Sequence, residues 1–137
     1  MKKIITDLDG LDEVVEYLEE ILPEDAVVFL EGDLASGKTT LTQAIARSRG
    51  VQEEVTSPTF SLQQSYAGGL YHYDLYRIES HEFMELGLFE EFEKSGWHLV
   101  EWGDQELKSF LMGAGYVLCT VTITPVEDQR QYIIQKG

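Results

Sequence analysis

The chain has 137 residues, 43% of them hydrophobic, which suits one compact unit with its own core and leaves too little for a second. Its 10 Lys plus Arg stand against 25 Asp plus Glu, a formal net charge of −15; independent capture of nucleic acid is disfavoured, because it rests on a basic patch that neutralises phosphates. Cys119 is the single cysteine and excludes an internal disulfide, no apolar run reaches the length of a membrane span, and residues 1–7 carry no signal-peptide core, so a soluble cytoplasmic protein is expected.

Leu11, Val14, Val15, Leu18, Ile21 and Leu22 recur at helical spacing, with Glu13, Glu16, Glu19 and Glu20 on the other face. This predicts a helix with Asp9 as N-cap and Pro23 as its stop. Residues 26–31 (AVVFLE) read as a buried strand that feeds directly into the loop 32–39, followed by a helix over 38–49 closed by Gly50. Strands are expected at 61–66 and 70–74, joined as a hairpin through Gly68-Gly69. Short helical segments at 80–86 and 88–94 come next, with Phe83, Met84, Leu86, Phe89 and Phe92 as core positions. A strand over 97–102, a helix over 104–112, and two β-rich segments at 116–124 and 130–135, separated by a turn containing Pro125, complete the chain. Acid is clustered in two runs, 7–25 and 79–93, neither holding a Lys or Arg. Each reads either as a solvated helix face or as a negative docking surface for a basic partner.

Residues 32–39 (GDLASGKT) match G-x-x-x-x-G-K-[ST] between an expected strand and an expected helix, the context the motif requires. The glycines let the loop curl so that backbone N–H groups point inward where the helix presents its positive end. In such a loop Lys38 reaches the β- and γ-phosphates and the Thr39 hydroxyl ligates Mg²⁺. The expected fold is therefore α/β, a single P-loop NTPase-like domain over 1–137 with a mixed central β-sheet flanked by helices. A second carboxylate should end a neighbouring strand, and Asp74 and Glu101 both qualify. The segment 56–60 (TSPTF) stands where such enzymes keep a switch that senses the γ-phosphate and metal. His72, His81 and His98 lack metal-ligand spacing and read as structural histidines.

No Asn-Lys-x-Asp element is present and no D-x-x-G follows the loop, so guanine-specific signalling is disfavoured. Beyond the P-loop helix the only arginines are Arg77 and Arg130, too few for the phosphoryl-caging lid of a small-molecule kinase. The residues thus favour a slow ATPase completed by a partner. A small-molecule kinase and a non-hydrolysing nucleotide-binding regulator remain as alternatives, the first weakened by the missing lid and the second by the two strand-end acids.

Taken together and in order, GDLASGKTT (32–40), SPTF (57–60), HYDLYR (72–77) and VEW (100–102) give a chain that resembles the TsaE (YjeE) family over most of its length. These are the ATPase subunits of the bacterial machinery that makes threonylcarbamoyladenosine in tRNA. The resemblance implies an ATP- and Mg²⁺-using partner of the TsaB and TsaD proteins that supports repeated cycles of threonylcarbamoyl transfer, without binding tRNA independently or a membrane. It also implies that Ala35, Ser36, Gly37, Lys38, Thr39 and Thr40 hold the phosphates, with Thr39 on the metal. Thr59 would be the switch threonine, Asp74 the Walker-B-like acid, and Glu101 the second acid near the metal. Trp102 would lie close to the nucleotide, and Asp104 would contribute from the start of the next helix. The family usually has glycine where Ala35 stands, which makes the loop slightly less free while nucleotide binding is expected to survive. Arg130 and the stretch 6–9 are candidates for contact with adenine.

Overall fold

Residues 26–30 are buried on both sides, the condition of a parallel strand packed between two layers of helices, and the unbroken AVVFL run meets it. This computed structural model describes residues 1–32, 37–52, 63–76, 78, 80–85 and 87–137. Its strands are β1 (Lys2–Thr6), β2 (Ala26–Glu31), β3 (Gln63–Tyr66), β4 (Leu70–Asp74), β5 (Trp97–Glu101), β6 (Leu118–Val126) and β7 (Gln129–Lys136). They form one seven-stranded sheet in the order β1-β7-β6-β2-β5-β4-β3. The four central strands β6, β2, β5 and β4 run parallel, while β3 at one edge and β7 and β1 at the other are antiparallel to their neighbours.

Helices α1 (Leu11–Ile21) and α2 (Lys38–Ser48) cover one face of the sheet. The other face is covered by α3 (Ser80–Glu85), a 3-10 segment (Leu88–Glu93) and α4 (Gln105–Gly113). In α1 the buried side chains are Leu11, Val14, Val15 and Leu18, one stripe at helical spacing, and each such burial contributes about 1.5–3 kcal/mol. The glutamates opposite them face water, as the spacing requires. Phe83 and Phe92 are buried in the second layer, whereas Met84 and Leu86 lie outside the described side chains. Burial pushes the Cys119 thiol up to about 11, so this cysteine packs rather than reacts.

Three expectations are corrected, and one strand was not foreseen. Residues 2–6, which carried no strand signal beyond a short Lys-Lys-Ile-Ile-Thr run, pair with β7 as an edge strand; two lysines on an edge are how natural sheets discourage further pairing. The acid that caps the entry to α1 is Asp7, not Asp9: its side chain accepts from the N–H groups of Asp9 and Gly10 and closes a 3-10 turn, Leu8–Gly10, ahead of the helix. Pro125 lies inside β6 and opposite Arg130, and the turn is at residues 127–128. Strand β2 reaches only as far as Thr122 along β6, so Pro125 sits where one side of the strand is an edge and a missing N–H breaks no ladder. Strand β5 ends at Glu101, one residue early, because Trp102 turns into left-handed backbone with φ 62°.

The expected hairpin is present, with Tyr66 opposite Leu70 across the Gly68-Gly69 turn; residues 61–62 lie outside the described residues. The parallel strands β2, β4 and β5 all end at one rim, with Glu101 level with Leu30 on one side and with Asp74 on the other. In open α/β sheets this carboxyl rim is where ligands bind.

Candidate nucleotide site

Beyond β2 the chain leaves the sheet at Gly32 and re-enters regular structure at Gly37, whose φ of 105° is open to glycine and strained for any residue with a side chain. Helix α2 starts at once with Lys38. Its backbone N-terminus aims at the rim, and Lys38 is only 3% exposed. The ammonium is held by two electron-rich neutral groups: Nζ donates to the Gly32 carbonyl at 2.8 Å and stands 3.7 Å from the centre of the Trp102 ring. A lysine in the first turn opposes the helix dipole. An incoming anion relieves that opposition, and the half-buried Thr39 and Thr40 follow on the same turn.

Asp74 and Glu101 are register partners on adjacent parallel strands, which sets their backbones roughly 4.8 Å apart. Asp74 is half-buried and its Oδ1 accepts from the Tyr76 N–H at 3.1 Å. Glu101 is 3% exposed, and its Oε2 is hydrogen-bonded to Nε2 of His72, itself completely buried. On the far side of β2's end, Lys108 of α4 pairs with Glu31.

Trp102 is bent out of β5 by its positive φ, a departure that costs a non-glycine residue about 1–2 kcal/mol. The bend lets its ring cover Lys38 on one side and meet the exposed Tyr76 ring edge-on at 4.9 Å. Asp104 caps α4, accepting from the Leu107 N–H at 2.9 Å. Thr6 and Arg130 pair across β1 and β7 at the same rim of the sheet.

The rim therefore brings Gly37, Lys38, Thr39, Thr40, Asp74, Glu101 and Trp102 to one end of the sheet. Ala35, Ser36, Thr59 and Arg77 lie outside the described residues. Among the described residues no group of three or more His, Cys, Asp and Glu converges as a metal cage. A hydroxyl and two carboxylates nonetheless suit Mg²⁺, which takes few protein oxygens and keeps several waters. His72, read from the sequence as a structural histidine, contacts Glu101 of this pair of acids. Its alternation with Asp74 on β4, in register with a strand ending in Glu101, is the signal that puts it on the site's face.

No helix among the described residues is long and apolar enough to cross a membrane. Residues 5–132 match the family model described as threonylcarbamoyl adenosine biosynthesis protein TsaE. The tRNA threonylcarbamoyladenosine biosynthesis protein TsaE of Bacillus subtilis is 48% identical over 121 residues, 80% of this chain and 76% of that protein. The protein of the same description from Treponema pallidum is 44% identical over 88 residues, 62% of this chain and 65% of its own length. The chain thus spans less than two thirds of that relative, and 54% and 46% of two others. A crystal structure of Bacillus subtilis YdiB superposes with a TM-score of 0.65 at 26% identity, covering 99% of this chain and 87% of that one. Because the family model matches residues 5–132, nearly the whole chain, the chain belongs to the TsaE family.

Proposed function

We propose that the chain is a Mg²⁺-dependent ATPase, slow alone, whose ATP cycle works with the TsaB and TsaD proteins in threonylcarbamoyladenosine modification of tRNA in the cytoplasm. The observation that carries this reading is the meeting at one rim of Lys38, in the first turn of α2, with two carboxylates level with each other on adjacent strand ends. Family membership supplies the pathway, since the relatives are described as tRNA threonylcarbamoyladenosine biosynthesis proteins.

In this reading the N-terminus of α2 and the Lys38 ammonium hold the β- and γ-phosphates and offset their charge. The Thr39 hydroxyl, Asp74 and Glu101 hold Mg²⁺ or its waters, and the bound ion would offset the charge that develops on the phosphoryl oxygens. Glu101 orients the attacking water from its sheltered position. Beyond the P-loop helix the sequence offers only Arg77 and Arg130, in keeping with slow turnover until a partner docks. A net charge of −15 suits docking on protein better than on tRNA.

The test is ATP hydrolysis by the purified chain with Mg²⁺, alone and with TsaB and TsaD, beside Lys38→Ala, Asp74→Asn and Glu101→Gln. Partner stimulation that disappears in the variants is expected. Turnover indifferent to all three substitutions would overturn the site, and turnover indifferent to the partners would overturn the pathway.

A further inference from the structure

His72 has nothing of the ordinary core histidine about it. It is completely buried on the face of the sheet that α2 covers, two residues before Asp74 on β4. Its Nε2 contacts Oε2 of Glu101, and its Nδ1 has no hydrogen-bond partner among the described residues. A buried polar nitrogen left unpaired costs about 1–3 kcal/mol. A leucine in the same space would carry no such penalty, so stability alone does not account for the ring. The other end of the imidazole accounts for it. A carboxylate that is 3% exposed cannot stay in place without a donor, and an ionised carboxylate only accepts, so the hydrogen on Nε2 belongs to Glu101.

We propose that His72 is a positioning residue: its Nε2–H holds Glu101 by Oε2, fixes the carboxylate on the phosphate side of the rim and leaves Oε1 directed to the reaction. This deepens the ATPase reading above and rests on Glu101 serving hydrolysis. Groups standing behind a site in other proteins likewise orient a working carboxylate or imidazole without touching substrate.

The experiment compares His72→Leu, His72→Gln, Glu101→Gln and the double variant His72→Leu/Glu101→Gln in the presence of TsaB and TsaD, reading kcat, KM and the dissociation constant for ATP by calorimetry. His72→Leu is expected to lower kcat about ten-fold or more, with ATP affinity little changed and the thermal midpoint lowered, because Glu101 is left buried without its donor. His72→Gln, which keeps an N–H near the place of Nε2, is expected to recover much of that loss. The double variant should be no slower than Glu101→Gln, because a residue acting through another adds nothing once that one is gone.

A second readout needs no turnover. In the spectrum of ¹⁵N-histidine-labelled protein, Glu101→Gln should move the His72 ring resonances and leave those of His98 in place. Full kcat in His72→Leu, multiplied losses in the double variant, or a His72 signal indifferent to Glu101→Gln would each overturn the proposal. Should the leucine variant not fold, the glutamine variant and the spectrum decide. Unchanged turnover in Glu101→Gln would instead overturn the ATPase assignment of that acid, and the positioning role with it. Loss in Glu101→Gln alongside normal His72→Leu would overturn the positioning role only.

Discussion

His98 and His72 stand on adjacent strands, each essentially without solvent contact, but they look out from opposite faces of the sheet and into different chemistry. His98 lies in the aromatic layer under α3, the 3-10 segment and α4. Its ring stacks on Tyr71 at 4.6 Å, its Nδ1 meets the Tyr73 hydroxyl at 2.6 Å, and its Nε2 meets the Lys94 carbonyl at 2.8 Å. One tautomer satisfies both ends: Nε2 donates to the carbonyl and Nδ1 accepts from the phenol. His72, on the α2 side, has one nitrogen on a carboxylate and the other without a hydrogen-bond partner among the described residues. The same residue type thus completes a structure on one face and leaves it incomplete on the other. Incompleteness of this kind marks the face where function overrides packing.

The comparison breaks most visibly at Lys38. If the proposed function holds, replacing it by alanine removes a charge-assisted phosphate contact, worth about 1.5–3 kcal/mol or roughly ten- to hundred-fold in ATP affinity, and calorimetric titration reads it directly. Affinity that survives would take the α2 side of the sheet out of nucleotide binding altogether. On the other face Tyr73→Phe leaves Nδ1 of His98 buried without its donor, and a loss of about 1–3 kcal/mol in denaturant unfolding is expected with ATP affinity unchanged. A fall in affinity beside that loss would show the two faces to be energetically coupled. Between the two stands Asp104, which caps α4 on the far face yet sits two residues beyond Trp102. Asp104→Ala should cost about 1 kcal/mol of stability as a lost N-cap, and any accompanying drop in ATP affinity would assign it to the site as well.

What the sequence made legible follows the same division. Periodicity found α1, the AVVFL run found β2, and the two glycines found the hairpin, because in each case local pattern and burial agree. The start of α2 at Lys38 and the ends of β4 and β5 near Asp74 and Glu101 were legible because a glycine-rich strand-to-helix turn and two short apolar strands are marked locally in the chain. Strand β1 was not, since an edge strand held by pairing with distant β7 has no periodic signature of its own. Pro125 misled for a related reason: whether proline is tolerated in a strand depends on how far the neighbouring strand extends, which is a property of the sheet. The contact of His72 with Glu101 is likewise a product of register between β4 and β5. Spacing in the chain names the residues without saying which ones meet.

The finest distinction is in acid. Burial holds the His98 imidazole below its ordinary value of 6.5, and the Lys94 carbonyl and the charges of Asp25 and Glu91 offset this only in part. Below 6.5 the unfolded chain therefore takes up a proton that the folded chain refuses, the unfolded state binds more protons, and stability rises with pH through the interval from the folded value up to 6.5. Above that interval His98 adds no slope. Asp25 acts in a separate window: its carboxyl is held below 3.8 by the Ser95 hydroxyl and the Gly96 N–H, so its contribution is present above 3.8 and is lost as pH falls through the folded value. Unfolding midpoints across the His98 interval should fall on acidification in the unmodified chain and stay level in His98→Phe, which starts less stable because Tyr73 and the Lys94 carbonyl lose their partner. A slope that persists without His98 would place the proton-sensitive group elsewhere in the fold. The aromatic face would then no longer be the self-contained half of the molecule, and its fully bonded histidine would not be what distinguishes it from the rim.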